Sequence, residues 1–319
     1  MRVFMQFGVK VRGSLRTTKL FHVVLSALTV ALLGGSAAVA SAEPEKTPAA
    51  GKSLVVIGDS YTANGVRLNG DEKECRRGPS AWPTQLSQLM GIHGTPEFMD
   101  VSCSGASIQS QTAYNLVHEA RLADKAGAFG PNTKVVTIQL GMNDTWGTNK
   151  TMLWTAMDPC ILNLTDGCGL EAAEQGRSPD YRAVTGKEYA DRIKTVIDYI
   201  RYYAPQARIV LVGYPELVPP QTQKLCVNIL GVGAFIQDRG AAVVEYMDRL
   251  DRAQREAAEI LKLEFFNAKP ITAGHGLCSD DPWVNGVFDP RADFLGMPLH
   301  PTAKGDAVMA AGLRDWISR

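Results

Sequence analysis

The sequence predicts an α/β protein, a flavodoxin-like three-layer α/β/α sandwich around a five-stranded parallel sheet. Two observations carry this. Five short apolar runs rich in β-formers alternate with long stretches of helical periodicity. The runs are predominantly apolar rather than strictly alternating, which is the pattern of strands covered on both faces. At 319 residues and 45% hydrophobic composition, the chain is large enough for one sizeable core.

The strands are expected at 53–58 (SLVVIG), 97–102 (EFMDVS), 134–140 (KVVTIQL), 207–213 (ARIVLVG) and 263–267 (LEFFN). In 187–203, Tyr189, Ile193, Val196, Ile197 and Ile200 recur at three- and four-residue spacing, one face of a helix. A similar stripe (Val243, Val244, Met247, Leu250, Ala257, Ile260, Leu261) predicts a helix over 234–262. A last helix is expected over 302–318, with Thr302 as its N-cap. Residues 142–186 are rich in Gly, Asn and Thr and too long for an ordinary connection, so they read as a functional loop.

The first 42 residues stand apart from this pattern. Arg2, Lys10, Arg12, Arg16 and Lys19 form a basic segment without acids, an apolar stretch follows, and Ala40-Ser41-Ala42 offers small residues for cleavage. This is the organisation of a secretory signal peptide, cut after Ala42. An uncleaved anchor would need about 20 apolar residues, and the Gly-Gly-Ser interruption speaks against one. Residues 43–52 read as a mobile Pro/Ala linker, and 53–319 as a single domain. A secreted chain with no stable membrane span after cleavage is the expectation.

The leader holds five Lys/Arg and no acid. Its loss turns a formally neutral chain of 33 basic and 33 acidic residues net negative by about five. No basic block occurs, so nucleic acid is not an expected partner. Six cysteines, an even number, all lie beyond the leader and imply disulfides. Sequential pairing (Cys75–Cys103, Cys160–Cys168, Cys226–Cys278) is the simplest of fifteen connectivities. No CxxC pair is present and no His sits at ligand spacing from these cysteines, so no metal is expected. Nor does any glycine pattern for a nucleotide cofactor follow an expected strand; Gly231-Val232-Gly233 lacks both a third glycine and an expected strand before it. No cofactor is expected.

Chemistry gathers at the strand ends. The first strand ends in Gly58-Asp59-Ser60, the second runs into Cys103-Ser104-Gly105-Ala106-Ser107, and the third ends in Gly141-Met142-Asn143-Asp144. Parallel strands bring these tips to one edge, where a hydroxyl, a backbone N–H and a side-chain amide can converge. That is equipment for acyl transfer, a nucleophile with donors for the oxyanion. The base must be a histidine. His118 lies in a helical stretch, His93 in a Gly-flanked turn and His275 in a Gly-rich loop. His300 precedes the last helix in a loop that a doubly wound sheet returns to the same edge. The nucleophile elbow GxSxG of α/β-hydrolases is absent.

The order GDS, Gly, GxND, His-Pro resembles the SGNH hydrolase superfamily, the GDSL-like lipases and esterases, over essentially all of 53–319. The resemblance implies Ser60 as nucleophile and first oxyanion donor, Gly105 and Asn143 as further donors, and His300 as base. It implies the strand order 2-1-3-4-5, and the three cysteine pairs look like those of the secreted actinobacterial branch. Two positions depart from the family pattern. Tyr61 stands fourth in the GDSL signature, and the usual Asp-x-x-His-Pro has Met297 in place of the acid. A backbone carbonyl, that of Met297 or of neighbouring Pro298, is then expected to orient His300, with Asp293 and Asp289 as alternative acids. The implied activity is hydrolysis of carboxylic esters, with lipid esters favoured by the branch. Carbohydrate O-acetyl esters, or ligand binding without turnover, are the alternatives. Trp146, Met152, Trp154, Trp283, Phe288 and Phe294 would either line an acyl groove or pack in the core.

Overall fold

The computed structural model describes residues 49–65, 75–110, 114–219 and 222–319. The expected signal peptide and most of the linker lie outside the described residues. The linker's end is tied down: Lys52 N–H donates to the Ala128 carbonyl, and Asn132 N–H to that of Ala50.

In chain order the elements begin with β1 (Leu54–Gly58), α1 (Ser60–Ala63), α2 (Trp82–Leu89), β2 (Phe98–Asp100), α3 (Leu116–Lys125) and β3 (Val135–Gln139). Then come α4 (Glu171–Glu174), α5 (Gly186–Tyr203), β4 (Arg208–Val212), β5 (Leu225–Ile229) and β6 (Gly233–Gln237). The chain closes with α6 (Ala241–Leu261), β7 (Glu264–Phe266), α7 (Lys269–Thr272) and α8 (Ala303–Ile317). Five strands form one sheet in the order β2-β1-β3-β4-β7. All four ladders are parallel, with Val55 opposite Met99, Val56 opposite Thr137, Val136 opposite Ile209 and Leu211 opposite Phe265. Counting sheet strands alone, this is the expected 2-1-3-4-5.

Alternation along β1 distributes its side chains between the two faces. Val55 and Ile57 join the cluster packed by α3, α5 and α6, while Leu54 and Val56 join the one packed by α2 and α8. The stripe expected in α5 is buried at all five positions. Thr185 caps that helix by accepting from Glu188 N–H, and Thr302 caps α8 by accepting from Gly305 N–H. No helix of the described residues is long and apolar enough to cross a membrane.

Two expectations are corrected. The helix expected over 234–262 begins only at Ala241, because residues 233–237 are a strand. They pair antiparallel with β5 in a hairpin outside the main sheet. The second expected strand, 97–102, is shorter, Phe98–Asp100.

The six cysteines form three disulfides in sequential order. Cys75 is bonded to Cys103, Cys160 to Cys168 and Cys226 to Cys278. The first of these ties Cys75, ahead of α2, to the loop that follows β2, with the two Cα atoms 4.8 Å apart. Cys103 is fully buried and Cys75 only partly, so the bridge runs from the surface into the core.

Candidate active site

The site forms where β1, β3 and the loop after β2 end. Asp59 is extended and caps α1, its carboxylate accepting from Tyr61 N–H at 2.9 Å, so the chain turns sharply at Ser60. A Cβ at position 58 would stand 2.1 Å from Thr62 Oγ1, which is why glycine ends the strand. Ser60 opens the helix, and its N–H has no hydrogen-bond partner among the described residues. The same holds for Gly105 N–H, in a turn where φ is +83°.

Ser60 Oγ and His300 Nε2 are 2.8 Å apart. His300 Nδ1 lies 2.8 Å from the Pro298 carbonyl, to which only an N–H can donate. That fixes the tautomer: Nε2 carries the lone pair that faces the serine hydroxyl. The acceptor is Pro298 and not Met297, whose carbonyl instead accepts the backbone N–H of His300. The reason is local geometry. Leu299 sits at φ +65°, a left-handed turn that swings the Pro298 carbonyl toward the ring. Asp293 and Asp289 are occupied elsewhere, Asp293 by Ala303 N–H and Asp289 by Arg291.

The imidazole is 5% exposed. Burial pushes its pKa from 6.5 to about 4, against an opposing pull from the Pro298 hydrogen bond. Two rings lie against it: Tyr61 at 4.6 Å between centroids and Trp154 at 5.6 Å, the latter nearly parallel at 15°. Tyr61 also donates through its hydroxyl to the Leu299 carbonyl at 2.5 Å, fastening the turn that carries the histidine.

Asn143 is buried, its Nδ2 donating to the Ala106 carbonyl at 2.8 Å and its Oδ1 accepting from Trp154 Nε1 at 2.6 Å. The neighbouring Asp144 accepts from the backbone N–H groups of Ile108, Gln109 and Ser110 and from the Ser110 hydroxyl. It thereby holds the strand-two loop against the end of β3. Gly141 precedes them at φ +124°, and a Cβ there would meet Leu250 at 2.9 Å. Asp59 is fully buried beneath the serine. Desolvation raises its pKa to about 7, partly offset by hydrogen bonds from Tyr214 (2.5 Å) and Tyr61 N–H.

Beside His300 lies an apolar cleft with Leu299 and Trp154 at its inner end. It is also lined by Leu153, Met157 and Ile161, by Leu225 and Val227 of β5 and by Val243 and Met247 of α6. Of the residues expected to form a groove, only Trp154 lies here. Trp146 is core, stacked on Tyr189 beneath the Arg192 guanidinium. Met152 borders a separate polar hollow, Trp283 stacks on His275, and Phe288 and Phe294 are exposed. The hairpin contributes to the cleft although it went unrecognised in the sequence. Its signal was Gly231 and Gly233, both at positive φ, between two β-forming runs. Among the described residues no cluster of His, Cys, Asp or Glu is placed to hold a metal ion.

A doubly wound parallel sheet with serine, glycine, asparagine and histidine at its carboxyl edge is the framework of an SGNH-type hydrolase. The chain belongs to the GDSL-like Lipase/Acylhydrolase family, whose model matches residues 56–308, and is an ester hydrolase of that type. It is 27% identical to an esterase of Streptomyces scabiei, over 92% of this chain and 91% of the relative. It is 25% identical to Lipase 1 of Streptomyces coelicolor, over 89% and 92%. Among solved structures, the extracellular lipase of Streptomyces rimosus superposes with a TM-score of 0.58 at 23% identity, over 83% of this chain and 99% of the other.

Proposed function

We propose that the chain is a secreted serine esterase acting on acyl esters longer than acetate through a Ser60–His300 dyad. The observation that carries this reading is the 2.8 Å approach of Ser60 Oγ to an Nε2 whose partner nitrogen is held by the Pro298 carbonyl. Ser60 Oγ bonds to the ester carbonyl carbon while its proton passes to Nε2. The oxyanion is met by the N–H groups of Ser60 and Gly105 and by an Asn143 amide hydrogen. The tetrahedral species collapses, the alcohol leaves with the proton from His300, and the acyl group stays on Ser60. Water, deprotonated by His300, then attacks the acyl carbon; the Ser60–acyl bond breaks, the acid leaves and His300 returns the proton to Ser60 Oγ.

The wholly apolar side chains that line the cleft beside His300 support an acyl chain as the part of the substrate bound there. Three disulfides behind an expected leader support export. The names of two relatives, Lipase 1 of Streptomyces coelicolor and the lipase of Streptomyces rimosus, agree with a lipid ester as substrate.

The test is hydrolysis of p-nitrophenyl esters from acetyl to palmitoyl by residues 43–319 and by Ser60→Ala. Activity lost in the variant, with a preference for chains longer than acetyl, is expected. A preference for acetate would move the substrate to O-acetylated sugars. Binding of esters without turnover in either protein would make the chain a carrier.

A further inference from the structure

The long loop before α5 delivers one side chain that touches both halves of the catalytic apparatus. Trp154 stacks on His300 with its ring 15° from parallel, and its Nε1 lies 2.6 Å from Asn143 Oδ1. We propose that Trp154 is a positioning residue that locks the Asn143 amide with its N–H toward the oxyanion and packs the His300 ring in place.

The argument concerns what an asparagine amide can do. Its two ends are nearly equal in shape and opposite in polarity. Turned one way it presents an N–H to the oxyanion; turned the other way it presents an oxygen that repels it. Trp Nε1 can only donate, and a backbone carbonyl can only accept. With Trp154 on one end of Asn143 and the Ala106 carbonyl on the other, only one orientation satisfies both. Nδ2 carries two hydrogens. One is spent on Ala106, which leaves the other for substrate.

The same indole compensates for the missing acid. An imidazolium forms at His300 during each proton transfer, and no carboxylate lies against it. An aromatic face nearby stabilises a cation through its quadrupole, and Trp154 offers one at 5.6 Å between centroids. Its own position is set by buried neighbours: Leu153, Ala156 and Ile161 anchor the segment, and the Cys160–Cys168 disulfide closes it.

This inference rests on the esterase reading above, and the test separates the two. Steady-state kinetics on p-nitrophenyl butyrate would compare wild type, Ser60→Ala, Trp154→Phe, Asn143→Ala and the Trp154→Phe/Asn143→Ala double variant. Phenylalanine keeps an aromatic face and loses the N–H. A fall in kcat of roughly tenfold or more with KM within about threefold is expected, and the loss should vanish in the Asn143→Ala background. Trp154→Ala removes the ring as well, so its kcat should fall further than that of Trp154→Phe. In NMR of the otherwise intact Asn143→Ala protein, the Trp154 indole proton resonance should move, a readout independent of how well a Trp154 variant folds. Unchanged kcat with raised KM in Trp154→Phe would make Trp154 a wall of the cleft and overturn the proposal. So would losses that multiply with those of Asn143→Ala, or an unmoved indole resonance. If Ser60→Ala retains full activity, the dyad itself falls, whatever Trp154 does.

Discussion

His300 donates its Nδ1 hydrogen to the carbonyl of Pro298, two residues earlier in the chain, over 2.8 Å. The histidine is therefore oriented by its own loop. A carboxylate in this role would stabilise the imidazolium as well as the tautomer; a neutral carbonyl secures chiefly the tautomer. Asp289→Asn and Asp293→Asn should each leave kcat/KM within about threefold of wild type, because neither side chain engages the ring. An acid-dependent triad would lose on the order of 10⁴ on such a change. Initial rates on p-nitrophenyl butyrate decide it.

Burial holds the His300 pKa at about 4, so the ring should stay neutral, and able to accept a proton, well below the usual histidine range. kcat/KM should rise through about pH 4 and be level by about pH 6, as measured across buffers of constant ionic strength. An acid limb near 6.5 would mean that the ring is hydrated in solution. The unfolded chain binds this proton near 6.5 and the native state only near 4. His300's contribution to stability is thus present above 6.5 and lost as pH falls through 4.

Asp59 works in the opposite direction. Its folded pKa is raised to about 7, so the native state keeps a proton that the unfolded chain releases near 3.8. Its contribution is present below 3.8 and lost as pH rises toward 7. Asp59→Asn keeps the cap on Tyr61 N–H and does not titrate. Urea midpoints between pH 4.5 and 8 should decline less with pH in this variant than in wild type.

Removing the Asn143 amide should cost kcat about 10²–10³-fold, equivalent to roughly 3–4 kcal/mol of transition-state stabilisation, with little change in KM. Single-turnover acylation on the same butyrate ester, which isolates the chemical step, checks this. A large rise in KM instead would place Asn143 in ground-state binding.

Asp144 is the structural partner of that amide. Four donors from residues 108–110 converge on its buried carboxylate. Asp144→Ala would strand them and should destabilise the fold by roughly 2–4 kcal/mol, read from urea unfolding.

Much of this was legible in the sequence, for identifiable reasons. β1, β3 and β4 are predominantly apolar runs buried on both faces, which reads as parallel strands. Ser60 and His300 sit where strand ends and a doubly wound topology must place them. The hairpin was hidden because β5 and β6 are short, half exposed and only weakly patterned, and because the helical stripe beyond them extends backwards on paper. Pro298 could not be distinguished from Met297, since a carbonyl acceptor leaves no side-chain signature and its direction depends on one left-handed residue, Leu299. The sequence leaves Trp154 between groove and core, and its link to Asn143 carries no sequence signal, because it spans a loop whose path is set by tertiary packing.

The inserted hairpin has one last consequence. Leu225, Cys226 and Val227 line the cleft, while Ser60, Gly105 and Asn143 sit at the ends of other strands, and Cys226–Cys278 staples the hairpin to a separate loop. Ser60 and His300 therefore lie on stretches of chain other than the hairpin, so changes in β5 can reshape the cleft without touching either residue.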